Sequence, residues 1–189
     1  MEIKNELTSP NAGRSKCLSA SDSISGGGMR PDHPHPMSFA TLTPSTSPRG
    51  GGENKIVTIA RAWIGTPYVH QASVKGAGCD CLGLLRGVWR EMRGAEAEDI
   101  PPYAADWTGG EETLRDGLAR HLTAIDLCDI APGDVALFRM VAHGPAKHCG
   151  IIAERDGSLT MVHSRQNKRV SEEIFSPVWR KKLAYAFRI

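Results

Sequence analysis

The sequence has no apolar run that approaches the ~20 residues needed to cross a bilayer. It also has no continuous apolar segment near the N-terminus of the kind found in secretory signal peptides, so we expect synthesis in the cytoplasm without export by the general secretory route. Neither sign of charge dominates, because 23 Lys and Arg are balanced by 21 Asp and Glu. A net charge of +2 does not indicate nucleic acid as a partner, and we expect none.

Cysteine is scarce, and the pattern of the five that are present argues against one class of protein. Their number is odd and their spacing is irregular, which does not fit the disulfide framework of a small secreted domain. At least one thiol is therefore expected to be free. The five are Cys17, Cys79, Cys81, Cys128 and Cys149.

Trp and Tyr are absent from residues 1–52, a stretch that instead contains 9 Ser, 7 Gly and 6 Pro. Such a segment cannot bury enough apolar surface to offset the entropy that is lost on ordering. We therefore predict that residues 1–52 are a disordered tail or linker, ended by three consecutive glycines. Residues 53–189 contain all of the Trp and Tyr and form the predicted folded domain.

A Gly-rich loop at residues 75–78 leads directly into a segment with helical spacing that begins near Cys81. Unpaired backbone N–H groups and the positive end of the helix dipole favour an anion at such a position. A thiol there becomes a thiolate nucleophile more easily. The alternative is a small hydrophobic cysteine in the core, the commoner fate of an isolated cysteine. The apolar stripe that predicts the helix comprises Leu82, Leu85, Val88, Trp89 and Met92.

Helices precede strands in the rest of the folded part, which predicts an α+β fold with an antiparallel sheet. Two further helical patterns cover residues 56–63 and 111–122. Apolar runs predict strands at residues 135–138, 149–153, 159–162 and 183–189.

Asp156 and Gly157 separate two of these apolar runs and predict a tight hairpin. If they form a two-residue loop, Gly150 lies opposite His163, and His148 falls on the same face as Gly150. The two imidazoles are then diagonal neighbours within reach of each other, and the glycine leaves space beside them. A three-residue loop would place them on opposite faces, so the inference depends on the turn.

A cysteine hydrolase needs a thiolate, an imidazole that pairs with it and protonates the leaving amine, and a polar group that orients this imidazole. Cys81, His148 and His163 are candidates for these three roles, in that order. Backbone N–H groups at the start of the helix can supply an oxyanion hole. No cofactor or metal is expected for this chemistry.

Five short motifs occur in a fixed order along the folded part. They are Gly-Thr-Pro-Tyr at 65–68, Gly-Cys-Asp-Cys-Leu-Gly-Leu at 78–84, Pro-Gly-Asp at 132–134, His-Cys-Gly-Ile at 148–151 and Val-His-Ser at 162–164. In order and spacing they resemble the motifs of the NlpC-type cell-wall peptidases, over roughly residues 55–189. The resemblance implies a papain-like fold with N-terminal helices packed on the sheet. It also implies hydrolysis of the peptide stems of peptidoglycan, commonly at γ-D-glutamyl bonds.

The resemblance divides the chemical roles among three residues. It implies that Cys81 is the nucleophile, His148 the general base and acid, and His163 the residue that orients His148. An inactive structural tail protein on the same fold is an alternative, which the presence of all three residue types counts against. An acyltransferase on the same fold is another, since it needs only an acyl acceptor other than water.

On the substrate side, the resemblance points to three residues near the nucleophile. Tyr68 and Asp80 match positions near the free amine of the substrate in wall-recycling relatives. Leu82 stands where many members of the family have Ser. The hydroxyl that this exchange removes lies beside the nucleophile, so the resemblance does not extend to the exact stem-peptide preference.

The variant Cys-Asp-Cys-Leu-Gly at 79–83, followed by Val-Trp-Arg-Glu at 88–91, resembles the branch encoded in tailed phages, prophages and gene transfer agents. Members of that branch are associated with virion tails. The resemblance therefore implies phage-like tail proteins as partners and a site of action at the cell envelope.

A zinc-binding module is the remaining alternative, because cysteine and histidine are the ligands that zinc prefers. The paired spacing usual for zinc is missing, and neighbouring strand residues should point to opposite faces of the sheet. The candidate ligands are Cys79, Cys81, His148, Cys149 and His163.

Overall fold

The structure is a computed structural model that describes residues 54–105 and 110–189. The predicted tail at residues 1–52 lies outside the described residues. Helices and an antiparallel sheet make up the described part, so the predicted α+β class is confirmed. None of the helices in these two ranges is both long enough and apolar enough to cross a membrane.

Four α-helices, eight strands and one short 3-10 helix at Leu127–Asp129 follow one another in the described ranges. The helices are α1 (Lys55–Arg61), α2 (Cys81–Arg93), α3 (Thr113–His121) and α4 (Pro177–Lys182). The strands are β1 (Ser73–Val74), β2 (Gly78–Cys79), β3 (Thr123–Ile125), β4 (Val135–Phe138), β5 (His148–Arg155), β6 (Ser158–His163), β7 (Ser171–Ile174) and β8 (Leu183–Arg188).

Six of the strands form one sheet in the order β3-β8-β4-β5-β6-β7, and every neighbouring pair is antiparallel. β8 therefore lies between β3 and β4, although both precede it in the sequence. β1 and β2 form a separate two-stranded hairpin just before α2.

The two faces of the sheet are covered by different helices. α1 and α2 pack on one face, where they join side chains such as Val135 of β4 and Ile151 of β5. α4 covers the other face through Trp179, which packs in one cluster with Phe138 and Ile152. Because successive strand residues point to opposite faces, β4 and β5 contribute to both cores.

α2 begins at Cys81, as the sequence predicts. Asp80 caps the helix, since its Oδ1 accepts a hydrogen bond of 2.8 Å from the backbone N–H of Gly83. The helix ends at Gly94, whose φ of 84° is the left-handed conformation that a glycine adopts without strain.

The apolar stripe predicted for α2 is divided between two environments. Leu85 and Val88 are buried as expected, but Leu84, which the stripe leaves out, is buried as well. Leu82 and Trp89 are only partly buried and line a cavity. The helix is apolar on more than one side because it packs on the sheet and also forms a wall of this cavity.

The β5–β6 hairpin has the predicted two-residue turn. Arg155 pairs with Ser158, so only Asp156 and Gly157 lie between the strands. Their φ angles of 52° and 73° are the left-handed values that such a turn requires. The predicted register of this hairpin is confirmed.

The shortest elements were not predicted. β1, β2 and β3 have two or three residues each, too few to carry a periodic pattern. β7 is an edge strand of sequence Ser-Glu-Glu-Ile, without the apolar alternation used to identify strands, and α4 has only six residues. The helical pattern at 111–122 extends slightly beyond the observed α3 at both ends.

Candidate active site

The Cys81 thiol lies at the N-terminal end of α2, where Sγ is 3.9 Å from the backbone oxygen of Lys147, just before β5. The pKa of this thiol is well below its usual range, first because of its interaction with the Cys149 thiol. Burial opposes this effect, whereas a hydrogen bond from His148 and its positive charge reinforce it. The surroundings therefore favour the thiolate.

Cys149 brings a second thiol to the site. It follows His148 on β5, so its side chain points to the opposite face of the sheet, towards α2. Its thiol donates a hydrogen bond to the backbone oxygen of Cys81, with Sγ and the oxygen 3.3 Å apart. The interaction with Cys81, together with burial, raises the pKa of Cys149 well above its usual range. Cys149 therefore keeps its proton and remains a donor.

His148 and His163 form a buried pair, with exposed fractions of 2% and 0%. Nε2 of His148 lies 3.0 Å from Nδ1 of His163. Gly150 makes room for them, because a Cβ there would lie 2.5 Å from Sδ of Met161 and 3.1 Å from Cβ of His163. The predicted contact between the two imidazoles is confirmed.

Aromatic rings cover the histidine pair. Trp179 of α4 stacks on His148 with ring centroids 5.6 Å apart, and it meets His163 edge-on at 5.1 Å. Burial lowers the pKa of His163 to about 3, and the positive charge of His148 acts in the same direction. His163 is therefore neutral at neutral pH and can accept a hydrogen bond from His148.

Asp80 has both carboxylate oxygens engaged by groups of the protein itself. Oδ1 caps α2, while Oδ2 accepts hydrogen bonds of 2.7 Å from the backbone N–H of Gln71 and 2.6 Å from the hydroxyl of Tyr103. Nδ1 of His70 lies 3.4 Å from the same oxygen. Asp80 thus joins α2 to two loops, and an amine arriving at this carboxylate would have to displace one of these donors.

Tyr68 lies next to the thiol because its backbone forms a parallel bridge with Cys79. Tyr68, Cys81 and Leu82 line one cavity, so these predicted positions are brought together. Burial, followed by the negative charge of Asp80, raises the pKa of Tyr68. The phenol therefore stays protonated and can donate a hydrogen bond into the cavity.

This cavity has a volume of about 480 Å³ and opens beside Cys81. One wall is formed by α2, and another by residues 96–105, which connect α2 with α3. The lining of the whole cavity is largely apolar and suits a substrate group with an apolar surface. Apolar and aromatic lining residues include Leu82, Leu85, Trp89, Ile100, Tyr103 and Leu118.

Residues 96–105 are held against the cavity by ion pairs with both flanking helices. Glu96 pairs with Arg86 of α2 at 2.8 Å, and Glu98 pairs with Arg120 of α3 at 2.6 Å. The tyrosine that donates to the α2 cap anchors the other end of the segment. This wall is consequently tied to the same helix that carries the thiol.

The candidate zinc ligands are not assembled into a site. No group of three or more His, Cys, Asp or Glu side chains within residues 54–105 and 110–189 is arranged to hold a metal ion. Cys149 faces α2 while His148 stacks on α4, so the sheet separates their side chains. Burial raises the pKa of Cys79 to about 11, which disfavours the thiolate that zinc binds.

Sequence reasoning missed several contributors to the site. The position of Cys149 could have been predicted. Side chains alternate along β5, so that of Cys149 faces α2. For Tyr103 and Trp179 no such signal was available, since they lie on an irregular loop and a short helix.

A family model and a curated relative match this chain. Residues 65–188 match the model of the NlpC/P60 family. A curated relative is the gamma-DL-glutamyl hydrolase of Bacillus subtilis, which is 27% identical over 130 residues. That match covers 68% of this chain and 27% of the relative, so the chain spans about a quarter of that protein's length.

Solved structures share the fold. The NlpC/p60 domain of the peptidoglycan hydrolase SagA matches with a TM-score of 0.50 and 22% identity, over 72% of this chain and 99% of that domain. An NlpC/P60 family protein from Bacillus cereus matches with a TM-score of 0.51 and 20% identity, over 71% of this chain and 39% of that protein. Since the family model extends over more than half of the sequence, from the turn before Tyr68 to the last strand, the chain belongs to the NlpC/P60 family.

Proposed function

We propose that residues 53–189 form a cysteine endopeptidase that hydrolyses the peptide stems of bacterial peptidoglycan, of the type that cuts between γ-D-glutamate and a diamino acid. The observation that carries the proposal is the Cys81 thiol at a helix start with a lowered pKa, beside the buried pair of His148 and His163. The name of the Bacillus subtilis relative supports the γ-glutamyl bond.

In the first half of the reaction, the Cys81 thiolate attacks the carbonyl carbon of the scissile bond, and the carbonyl electron pair moves onto oxygen. Backbone N–H groups and the positive dipole end of α2 stabilise this oxyanion. His148, as an imidazolium, gives its proton to the leaving amine as the C–N bond breaks. An acyl thioester on Cys81 and a neutral His148 remain.

In the second half, water hydrolyses the thioester. Neutral His148 takes a proton from the water while its oxygen attacks the acyl carbon, and the C–S bond then breaks to regenerate the Cys81 thiolate. His163 accepts the Nε2–H of His148 throughout and so keeps the ring in place. Trp179 excludes water from the pair, which strengthens the hydrogen bond between the rings.

The cavity beside the thiol is the proposed binding site for the stem peptide. The phenol of Tyr68 is available as a donor to a polar group of the substrate, whereas Asp80 acts through the loops that it holds. Leu82 and its apolar neighbours offer no hydroxyl, so they favour an apolar surface on the stem. These features support a stem preference different from that of relatives with Ser at this position.

We further propose that the domain acts at the cell envelope as part of a phage-like tail particle after synthesis in the cytoplasm. The support is the resemblance of residues 79–83 and 88–91 to the branch found in phages, prophages and gene transfer agents. A tail would bring the enzyme to the wall. An inactive structural tail component is the alternative that an activity assay decides.

The test is release of muropeptide fragments from purified sacculi, identified by mass spectrometry. Cys81→Ser should abolish release, because serine lacks the nucleophilicity of a thiolate. His148→Ala should be nearly as severe, since the ion pair and the proton donor both vanish. His163→Ala should lose about 10²-fold, while His163→Asn should be mild because an amide oxygen can still accept the imidazole N–H.

Cys79→Ala serves as the matched control, since it removes a buried thiol whose raised pKa keeps it unreactive. This variant should retain activity, and circular dichroism should show every variant folded. The assignment is wrong if Cys81→Ser cleaves as fast as the parent or if His163→Ala is fully active.

A further inference from the structure

Nε2 of His163, the ring nitrogen that is not in contact with His148, has to carry a proton if His163 is to accept a hydrogen bond from His148. When His148 is an imidazolium, both of its ring nitrogens bear protons, so its Nε2–H is donated across the 3.0 Å contact to Nδ1 of His163. Nδ1 accepts only through its lone pair. Neutral His163 must then hold its single proton on Nε2.

Nε2 of His163 is buried beside a carboxylate. It makes no well-aligned hydrogen bond within the described part of the chain, although Oε1 of Glu173 lies 3.4 Å away. This distance is long for a hydrogen bond between neutral groups. A carboxylate can nevertheless attract the ring proton across it, because the carboxylate is charged and the His163 ring is fully buried.

The sheet and one arginine hold Glu173 in this position. Glu173 pairs with Met161 and Ser171 pairs with His163, so Glu173 shares the face of the His163 side chain. Arg165, in the loop after β6, binds Oε1 of Glu173 at 2.7 Å. Burial acts to raise the pKa of Glu173, but His163 and Arg165 outweigh it, and the pKa is lowered.

We propose that Glu173 is a positioning residue that holds the proton of neutral His163 on Nε2, which leaves Nδ1 as the acceptor for His148. Without this carboxylate, the opposite tautomer would set an Nδ1–H against the Nε2–H of His148, two donors face to face. The catalytic consequence rests on the proposed function, whereas the tautomer is a property of the folded protein that can be measured by itself.

Glu172 offers a matched control one residue away. Its side chain lies on the other face of β7, where it pairs with Arg61 at 3.0 Å and accepts a hydrogen bond of 2.6 Å from Thr160. Replacing Glu172 by leucine removes an acidic side chain with partners of its own and leaves the surroundings of His163 intact.

The direct test is proton–nitrogen correlation NMR on protein with isotope-labelled histidine, which reports which ring nitrogen carries the proton. The His163 signals are identified by their loss in His163→Asn. The parent, Glu173→Gln and Glu172→Leu should show the proton of His163 on Nε2, because the Gln amide oxygen still accepts. Glu173→Leu should shift His163 towards the Nδ1–H tautomer when His148 is neutral, because Nε2 of a neutral His148 can accept that proton.

The inference is overturned if the parent holds the proton on Nδ1, or if Glu173→Leu leaves the tautomer unchanged. Should Glu173→Leu fail to fold, Glu173→Ala, which also lacks an acceptor, takes its place with the same expected and contradicting results. A proton on Nδ1 in Glu173→Gln, with the parent on Nε2, would show that the charge is needed as well as the acceptor, and would support the assignment.

Kinetics on a stem-peptide substrate supply the second test. Glu173→Leu should lower kcat roughly tenfold with KM unchanged, Glu173→Gln should recover most of the loss, and Glu172→Leu should match the parent. In a His163→Asn background there is no tautomer to select, so Glu173→Leu should cost nothing more. An equal loss in both backgrounds contradicts the inference. If the parent hydrolyses no stem peptide, the proposed function fails, and the NMR result still decides the tautomer.

Discussion

Two consecutive residues of β5 act on the Cys81 thiol from opposite faces of the sheet. The pKa of this thiol is lowered by the neighbouring Cys149 thiol, which donates to the backbone oxygen of Cys81, and by the hydrogen bond and charge of His148. Alternation along a strand makes this possible without any loop between the two side chains. The second thiol therefore belongs to the machinery that stabilises the first as an anion.

Removing the donor at Cys149 should make the Cys81 thiolate harder to form. Because the neighbouring Cys149 thiol is the first cause of the lowered Cys81 pKa, Cys149→Ala should raise the pH midpoint of Cys81 alkylation. Cys149→Ser should restore part of this shift, because a hydroxyl can donate in the same direction. Iodoacetamide labelling across pH, followed by peptide mapping, gives the midpoint.

Cys79 provides the internal reference for this labelling. In the parent at neutral pH, Cys81 should react far faster than Cys79 and Cys149, since the pKa is lowered for the first and raised for the other two. Equal midpoints for the parent and Cys149→Ala would show that the second thiol contributes nothing to the anion.

The main site residues were predictable because each lies next to a strong local signal. Cys81 follows a Gly-rich loop and opens a helix, and one Asp-Gly turn fixes the register that unites His148 with His163. The position of Glu173 beside His163 could not be predicted, because it depends on the pairing of β7 with β6. That strand has no apolar alternation in its sequence and is defined only by its neighbour in the sheet.

The β5–β6 hairpin can bring the two imidazoles together because Gly150, on the same face of the sheet, has no side chain. Gly150 lies between the histidines, where a Cβ would overlap Met161 and crowd His163. The need for glycine here comes from close packing, since Gly150 is not among the residues with positive φ.

Gly150→Ala should therefore displace the His148–His163 pair. Overpacking of this kind costs about 1–3 kcal/mol of stability, and we expect the hydrolytic rate to fall by a further factor of roughly ten or more, because the hydrogen bond between the rings needs its 3.0 Å separation. Thermal unfolding and the sacculus assay measure the two effects separately.

Gly117→Ala in α3 is the control for this substitution. A Cβ there would meet its nearest neighbour at 3.6 Å, an ordinary contact, and alanine favours a helix over glycine by roughly 0.5–1 kcal/mol. This variant should be slightly more stable than the parent, and it is compared for stability alone because Gly117 lines the cavity. An active Gly150→Ala protein with parental stability would contradict the packing argument.

The elements that were predicted correctly are those in which local pattern and tertiary environment agree. α2, β4, β5, β6 and β8 carry long apolar or amphipathic runs, and each is found where the sequence indicates. The residues that α2 buries were predicted only in part, because periodicity does not show that Leu84 faces the sheet while Leu82 faces a cavity. α4 depends on Trp179 packing against strands distant in sequence, which no local window reveals.

Burial of neutral His163 links the stability of the whole domain to pH. Its folded pKa is about 3, whereas an unperturbed histidine has a value of 6.5. At pH values between these two, His163 is protonated in the unfolded chain but neutral in the folded protein. Stability therefore falls as the pH decreases from 6.5 towards 3. One such group contributes a slope of at most about 1.4 kcal/mol per pH unit.

His163→Asn removes this contribution, because asparagine does not titrate. Between about pH 7 and about pH 4.5, the free energy of unfolding should fall more steeply for the parent than for His163→Asn. Urea denaturation followed by circular dichroism gives both values. Parallel slopes would mean that His163 titrates alike in the folded and unfolded states.

The position of β8 between β3 and β4 sets a condition on biosynthesis. A ribosome completes β3 and β4 first, but neither can gain this shared neighbour until residues 183–188 have left the exit tunnel. β3 has no other partner in the sheet, and one edge of β4 stays open in the meantime. The nascent chain thus lacks a complete sheet until nearly the whole domain has been translated. At this open edge of β4, two nascent chains translated from the same messenger RNA would form incorrect strand pairs.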